Sequence, residues 1–245
     1  MNKKTMLYLI GSFVFAFLLG EWVHETGHFL LHLIFGHEGV SMVIDPFGGS
    51  CNTGVTSMPT IEIAWTTIMG PMFNVLCATI VYVLVRKLSF LPFRIWFPIA
   101  MIQEGVTFSI GNLTIGGDAY WISASTGIPS WVILIFGIIL LCLGIWVFAQ
   151  ELSAFSSLKH ASFIGKLIIL FLSMGSLMLI RAIYAIILNP SLVVENVVPL
   201  IFSVIVACIV SLLIRNKGLE RPITNKNAYI AITMGIAMFV FQMLI

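Results

Sequence analysis

The sequence contains very little charge. Of its 245 residues, 9% are Asp, Glu, Lys or Arg, whereas about 25% of the residues of an ordinary soluble domain are charged. The formal net charge is +2, and no run of basic residues is long enough to suggest a nucleic-acid partner. The four cysteines are far apart and form no CxxC pair, which argues against a disulfide framework. These absences exclude a water-soluble globular protein and a protein that reads nucleic acids.

The sequence consists largely of long apolar runs. Hydrophobic residues make up 60% of the chain, in runs of about 17 to 25 residues, the length that a helix needs to cross a bilayer. Seven candidate spans follow: 5–35, 61–85, 93–110, 131–149, 167–188, 197–214 and 228–245. The third span carries Arg94, Gln103 and Glu104, so we expect a broken or partly re-entrant helix there. The sequence therefore predicts an all-α polytopic membrane protein of about six to seven transmembrane helices.

The chain shows no internal repeat and no linker long enough to separate a soluble domain. We expect one membrane domain, with its functional core in residues 1–122 and additional helices in 123–245. If the N-terminus is cytoplasmic, eleven of the 12 basic residues fall on the cytoplasmic side. The remaining one, Arg181, lies within the fifth span. Its side chain could pair with a carboxylate, but we expect it to extend toward the membrane surface. The sequence thus predicts a multi-pass cell-membrane protein with a cytoplasmic N-terminus.

A polar stripe runs along the first predicted helix. Ionisable side chains recur there every three or four residues, which places them on one helical face: Glu21, His24, Glu25, His28 and His32. Such groups are costly in hydrocarbon unless they are paired, hydrated or bound to a metal. This face should therefore line a polar cavity inside the helix bundle.

Within the stripe, His24, Glu25 and His28 form the motif H-E-x-x-H. One helical turn brings both imidazoles to the same side, where they can bind one Zn²⁺, while Glu25 can contact a water as a base. Zinc lowers the pKa of a bound water to about 7, which is the chemistry of amide hydrolysis. The same histidine pair could instead form a hydrogen-bonded helix contact or a proton relay.

A catalytic zinc needs a third protein ligand. His32 lies about 12 Å from His24 along the helix axis, too far for both to bind one ion. Asp118 is the first candidate because glycines precede it and let the backbone approach closely. Glu104 is the alternative. The other acidic residues considered for this role are Asp45 and Glu62.

The chain resembles the site-2 protease family of intramembrane zinc metalloproteases in three segments. These are the H-E-x-x-H motif, the segment GPMFNVLCA that begins at Gly70, and residues 112–118. In the third segment this chain has Gly-Asp-Ala where the family usually has Leu-Asp-Gly. The resemblance covers about half of the chain.

The resemblance implies a role for each matching residue. His24, His28 and Asp118 would bind Zn²⁺, and Glu25 would be the general base. Asn74 would lie close to the site and hold the substrate or the tetrahedral intermediate. A hydrogen bond between helices is an equally simple reading of Asn74.

The segment between the first two spans is polar and rich in glycine. Residues 40–44 and 53–56 are short β-like stretches, and in the resembling family a hairpin-like loop follows the metal-binding helix. Such a loop could add an extended substrate strand to its edge, or it could be an ordinary connecting loop.

We therefore expect a membrane-embedded zinc metalloprotease that cleaves a membrane-anchored protein or peptide. One alternative is a transporter or a metal- or proton-handling protein that uses the polar stripe. This alternative predicts a stronger effect from removing His32 than from removing Glu25. An inactive relative of the protease, which only binds membrane partners, is the other alternative.

Overall fold

The chain folds into helices and one small hairpin. A computed structural model describes residues 3–45, 48–85, 87, 91–111, 117–188, 193–214 and 223–244. The helices in these ranges are α1 (Lys3–Ile34), α2 (Thr60–Val85), α3 (Leu91–Ile110), α4 (Asp118–Thr126), α5 (Ser130–Leu152), α6 (Ser156–Lys159), α7 (Phe163–Leu188), α8 (Val193–Leu213) and α9 (Asn225–Leu244). The strands β1 (Ser41–Asp45) and β2 (Gly48–Asn52) pair between α1 and α2. The predicted helical fold with a β-like loop after the first helix is confirmed.

Within the described ranges, five helices are long and apolar enough to cross a membrane. They are Lys3–Ile34, Thr60–Val85, Ser130–Leu152, Phe163–Ile187 and Asn225–Leu244. Many of their large apolar side chains face outward, including Leu84 of α2 and Ile187 of α7, which are 73% and 68% exposed. An apolar exterior of this extent is a surface that water solvates poorly.

Helix α3 is continuous from Leu91 to Ile110, so the expected break in the third span is wrong. The helix lies at the centre of the bundle, packed against α1, α2 and α5. Its polar side chains find partners there, which removes the reason for a break. Arg94 forms an ion pair with Glu151 of α5 at 2.5 Å, and Tyr82 of α2 donates a hydrogen bond to the same carboxylate.

Glycines allow the helices to approach closely. A Cβ atom on Gly105 of α3 would overlap the backbone of α5, and one on Gly11 of α1 would overlap the backbone of α9. Small residues at helix contacts bring the two backbones together, and van der Waals packing then stabilises the pair.

Arg181 points into the molecule, so the expectation that it extends toward the membrane surface is wrong. Its Nη1 donates a hydrogen bond to Oε1 of Glu21 at 2.7 Å, and its guanidinium lies 5.2 Å from the centre of the Phe17 ring. A buried charge is strongly disfavoured without an opposite charge, and the polar stripe of α1 supplies one. The ion pair joins α7 to the helix that carries the H-E-x-x-H motif.

The hairpin lies against α1. Asp45 of β1 pairs with Gly48 of β2, and Ser41 pairs with Asn52. The first predicted β-like stretch corresponds to β1, but the second, at 53–56, is wrong because the strand is Gly48–Asn52. The glycines of β2 look like strand breakers in the sequence. In the fold, the Glu25 side chain packs so closely on Gly49 that a Cβ atom there would overlap it.

Candidate metal centre

Helices α1 and α4 bring together three side chains that could hold a metal ion. One ligand atom from each of His24, His28 and Asp118 lies within 4.8 Å of the others. His24 Nε2 is 3.1 Å from His28 Nε2 and 3.0 Å from Asp118 Oδ2, and His28 Nε2 is 3.6 Å from the same oxygen. The sequence motif and the distant aspartate therefore meet in one group.

These separations fit a tetrahedral metal ion. Zinc bonds to histidine nitrogen and carboxylate oxygen are about 2.0 to 2.1 Å long, so neighbouring ligand atoms in a tetrahedron lie about 3.3 Å apart. The three observed distances lie close to that value on either side. Two histidines and one carboxylate also leave a fourth position open, as catalytic zinc sites do.

Hydrogen bonds behind the two imidazoles leave their Nε2 atoms without protons. His28 Nδ1 donates to the carbonyl oxygen of Thr66 at 2.7 Å, and His24 Nδ1 donates to Glu104 Oε1 at 3.0 Å. A neutral imidazole carries one proton, so each Nε2 presents a lone pair. Two lone pairs and a carboxylate oxygen then face one another, and a cation among them would remove their repulsion.

Electrostatics keep Asp118 ionised when the two imidazoles are protonated. Burial by itself raises the pKa of the carboxyl group, but hydrogen bonds from His24 and His28 and the positive charge of their rings lower it more, and the balance holds the pKa well below its usual range. Asp118 is therefore ionised and acts as an acceptor.

Glu104, the alternative third ligand, contacts the other nitrogen of His24. Trp96 Nε1, which can only donate, bonds to Asn74 Oδ1 at 3.2 Å. This contact turns the Asn74 amide nitrogen toward Glu104 Oε1, to which it donates at 2.6 Å. Glu104 therefore accepts hydrogen bonds from both Asn74 and His24, and it lies behind the metal-facing nitrogens.

Asn74 is fully buried, and both ends of its amide are engaged by Trp96 and Glu104. These contacts favour a role in positioning Glu104. Direct contact between Asn74 and a substrate stays a prediction. Sequence reasoning did not identify Trp96 or Thr66, because their partners lie 22 and 38 residues away in the chain and no local pattern marks them.

Two glycines set the distance between α1 and α2 at the site. A Cβ atom on Gly70 would overlap the His28 ring, and one on Gly27 would overlap the carbonyl oxygen of Met69. Gly70 belongs to the segment GPMFNVLCA, so part of that motif makes room for an imidazole. Small residues at these two positions are required by the geometry.

His32 belongs to a separate cluster. Its Nδ1 lies 2.7 Å from Nδ1 of His37, and His37 Nε2 lies 3.0 Å from the Glu62 carboxylate. The carboxylate accepts from His37 Nε2, so in a neutral His37 ring Nδ1 accepts from His32. His32 is thus bonded to the loop after α1, in agreement with the expectation that it does not share an ion with His24.

Two cavities meet at the metal group. The hairpin cleft, of about 680 Å³, lies between β2 and α4 and is lined by polar residues such as Asn52, Thr53 and Thr67. The helix cavity, of about 270 Å³, extends between α1, α3, α7 and α8. His24, Glu25 and Gly49 line both spaces. A ligand that entered the hairpin cleft and reached His24 and Glu25 would therefore also lie next to the helix cavity.

Fold and site together define a helical protein that could hold a metal ion between two histidines and an aspartate. Comparison of the chain with protein-family models, with curated proteins and with solved structures found no match.

Proposed function

We propose that the protein is an integral membrane metalloprotease, similar to the site-2 protease family, that hydrolyses a peptide bond in a membrane-anchored protein or peptide. The observation that carries this proposal is the convergence of three acceptor atoms from His24, His28 and Asp118 in a cleft that Glu25 also lines. A general base beside such a group is the arrangement that metal-assisted amide hydrolysis requires.

The three ligands fit Zn²⁺, which when bound polarises the amide carbonyl and activates a water for attack. Glu25 would accept the proton that the attacking water loses and would then pass it to the nitrogen of the leaving amine. Glu104 and the Thr66 carbonyl hold the two imidazoles in orientation. The residues of this chain would therefore supply the base, the ligands and the side-chain and backbone groups that orient them.

The hairpin supports a peptide as the substrate. Residues 49–53 line the hairpin cleft consecutively, so the backbone of β2 runs along it. An extended peptide can pair with a strand edge through main-chain hydrogen bonds. A helical substrate hides its peptide bonds and would have to unwind before a water could reach them. Binding along β2 would stabilise the unwound form.

The five apolar helices support placement in a membrane. The distribution of basic residues supports a cytoplasmic N-terminus. Transport of ions or protons along the stripe is the competing proposal. Glu21 and His32, which such a path would use, are engaged by Arg181 and His37, and these contacts favour the protease.

The test is the purified full-length protein in detergent, with and without Glu25→Gln. We expect about one zinc per chain by mass spectrometry of metals, in both forms. A peptide library from a digested proteome should be cut by the wild type, and the variant should be at least about 100-fold slower because it lacks the base.

Glu38→Gln is the matched control, since Glu38 is exposed on the loop after α1. It should keep both zinc and cleavage. Cleavage that persists in Glu25→Gln, or a protein that binds no zinc, would contradict the proposed function. Ion flux into liposomes that depends on His32 and not on Glu25 would favour the transporter.

A further inference from the structure

The helix cavity shares His24, Glu25 and Gly49 with the hairpin cleft. His24, Glu25 and Glu104 line its polar end. Two of its walls come from α7 and α8, which lie outside the three segments that resemble the protease family. Helices α7 and α8, which belong to the half of the chain with few polar residues, thus form part of the wall of a cavity that His24 and Glu25 also line.

The far end of the cavity is apolar. Met174 and Met178 of α7 face Phe13 of α1 and Phe202 of α8 across it. Its volume of about 270 Å³ is slightly below the range of pockets for drug-sized ligands, so it suits one large side chain with its backbone. Methionine adapts its shape to different apolar groups.

We propose that the helix cavity is the subsite that binds a large apolar residue of the substrate beside the scissile bond. The apolar side chain would fill the space between Met174, Met178 and Phe202, with the peptide bond beside His24 and Glu25. This inference rests on the proposed peptidase function. It names the substrate class as peptides with Phe, Leu or Met next to the cleaved bond.

The experiment measures binding of two zinc-directed probes, the hydroxamates of N-acetylphenylalanine and of N-acetylglycine, to the zinc-loaded wild type and to variants at position 178. The wild type should bind the phenylalanine probe about tenfold more tightly, because burying an aromatic side chain is favourable. Met178→Phe narrows the cavity and should reduce that ratio to about one. Met178→Ala widens it and should improve binding of the corresponding tryptophan hydroxamate relative to the wild type.

Leu179→Trp is the control, since Leu179 is the next residue of α7 and is 45% exposed on the outside. It should leave the ratio unchanged. Equal binding of both probes, or a ratio that Met178→Phe leaves intact, would overturn the subsite. A lipid chain in the cavity would also make probe binding independent of the side chain, and this result would overturn the subsite as well. Failure of both probes to bind would overturn the subsite, and the cleavage assay with Glu25→Gln would then decide the peptidase separately.

The two proposals can fail separately. A wild type that cleaves the peptide library and needs Glu25, yet shows no side-chain preference, retains the protease and refutes the subsite. The wild type could instead prefer the phenylalanine probe, and Met178→Phe could remove that preference, while no peptide is cut. This outcome retains the subsite as a binding site and refutes the peptidase.

Discussion

A single donor-only side chain sets the protonation pattern of the metal group. The Trp96 indole can only donate, so the Asn74 amide must turn its oxygen toward Trp96. The amide nitrogen of Asn74 then donates to Glu104. Glu104 consequently accepts from Nδ1 of His24. The lone pair of His24 is therefore fixed on the nitrogen that faces Asp118 through three successive hydrogen bonds.

Replacing Glu104 by glutamine tests this chain at the residue scale. Glutamine can keep an oxygen toward Asn74 and His24 Nδ1, but it removes the negative charge that makes His24 a stronger metal ligand. We expect zinc affinity to fall by about 10- to 100-fold, measured by competition with a chromogenic chelator. Glu62→Gln, which alters a carboxylate bonded to His37, should leave the affinity unchanged. Equal affinities for the two variants would show that the charge of Glu104 does not support His24.

At the scale of elements, the contact between α1 and α2 determines where His28 lies. Gly70→Ala adds one methyl group where the His28 ring now packs. We expect the variant to lose most of its bound zinc while its helical circular dichroism stays unchanged, because the ring must move and α2 need not. Gly165→Ala in α7, where a methyl group meets only small side chains, is the control. Full zinc occupancy in Gly70→Ala would contradict the packing described here.

The hairpin places the thiol of Cys51 close to Glu25, the proposed general base. Burial and, to a lesser extent, the negative charge of Glu25 raise the pKa of Cys51 to about 11. At pH 8 such a thiol holds about 100-fold less thiolate than an ordinary cysteine, so alkylation should be slow and should accelerate up to about pH 11. The measurement uses iodoacetamide on zinc-free protein in which Cys77, Cys142 and Cys208 are alanine.

Glu25→Gln removes the charge that helps to raise this pKa, so the Cys51 pKa should fall and alkylation at pH 8 should become faster. Glu38→Gln should leave the rate as it was. A rate that levels off near pH 8.5 would show that the hairpin does not hold Cys51 against Glu25.

Sequence patterns predict the helices and the metal pair because both depend on neighbours within one or two turns. The apolar runs marked the helices, and the spacing of His24 and His28 placed them on one face. The glycines before Asp118 make it the first candidate for the third ligand, and the resemblance to the protease family implies the same residue. The partner of Arg181, the position of Glu104 behind His24, and the boundaries of β2 depend on contacts between distant segments. No local pattern contains that information.

At the scale of the whole molecule, the ion pair between Glu21 and Arg181 connects the two halves of the chain. Both side chains are largely buried, at 17% and 7% exposure. Removing one partner leaves the other charge buried, so Arg181→Met should lower the free energy of unfolding by about 3 kcal/mol. Thermal unfolding in detergent would measure the change.

The double variant Glu21→Gln with Arg181→Met should recover most of that loss, because it leaves no unpaired charge. Additive effects of the two substitutions would contradict direct pairing.

The same ion pair constrains how the protein is made. Glu21 and Arg181 are 160 residues apart, and ribosomes add about 5 to 20 residues per second. In a membrane, the first helix would therefore wait roughly ten to thirty seconds for its counter-charge. During that interval the Glu21 carboxylate must be stabilised in another way. It could be protonated, bound to water inside the membrane, or covered by a chaperone of the insertion machinery.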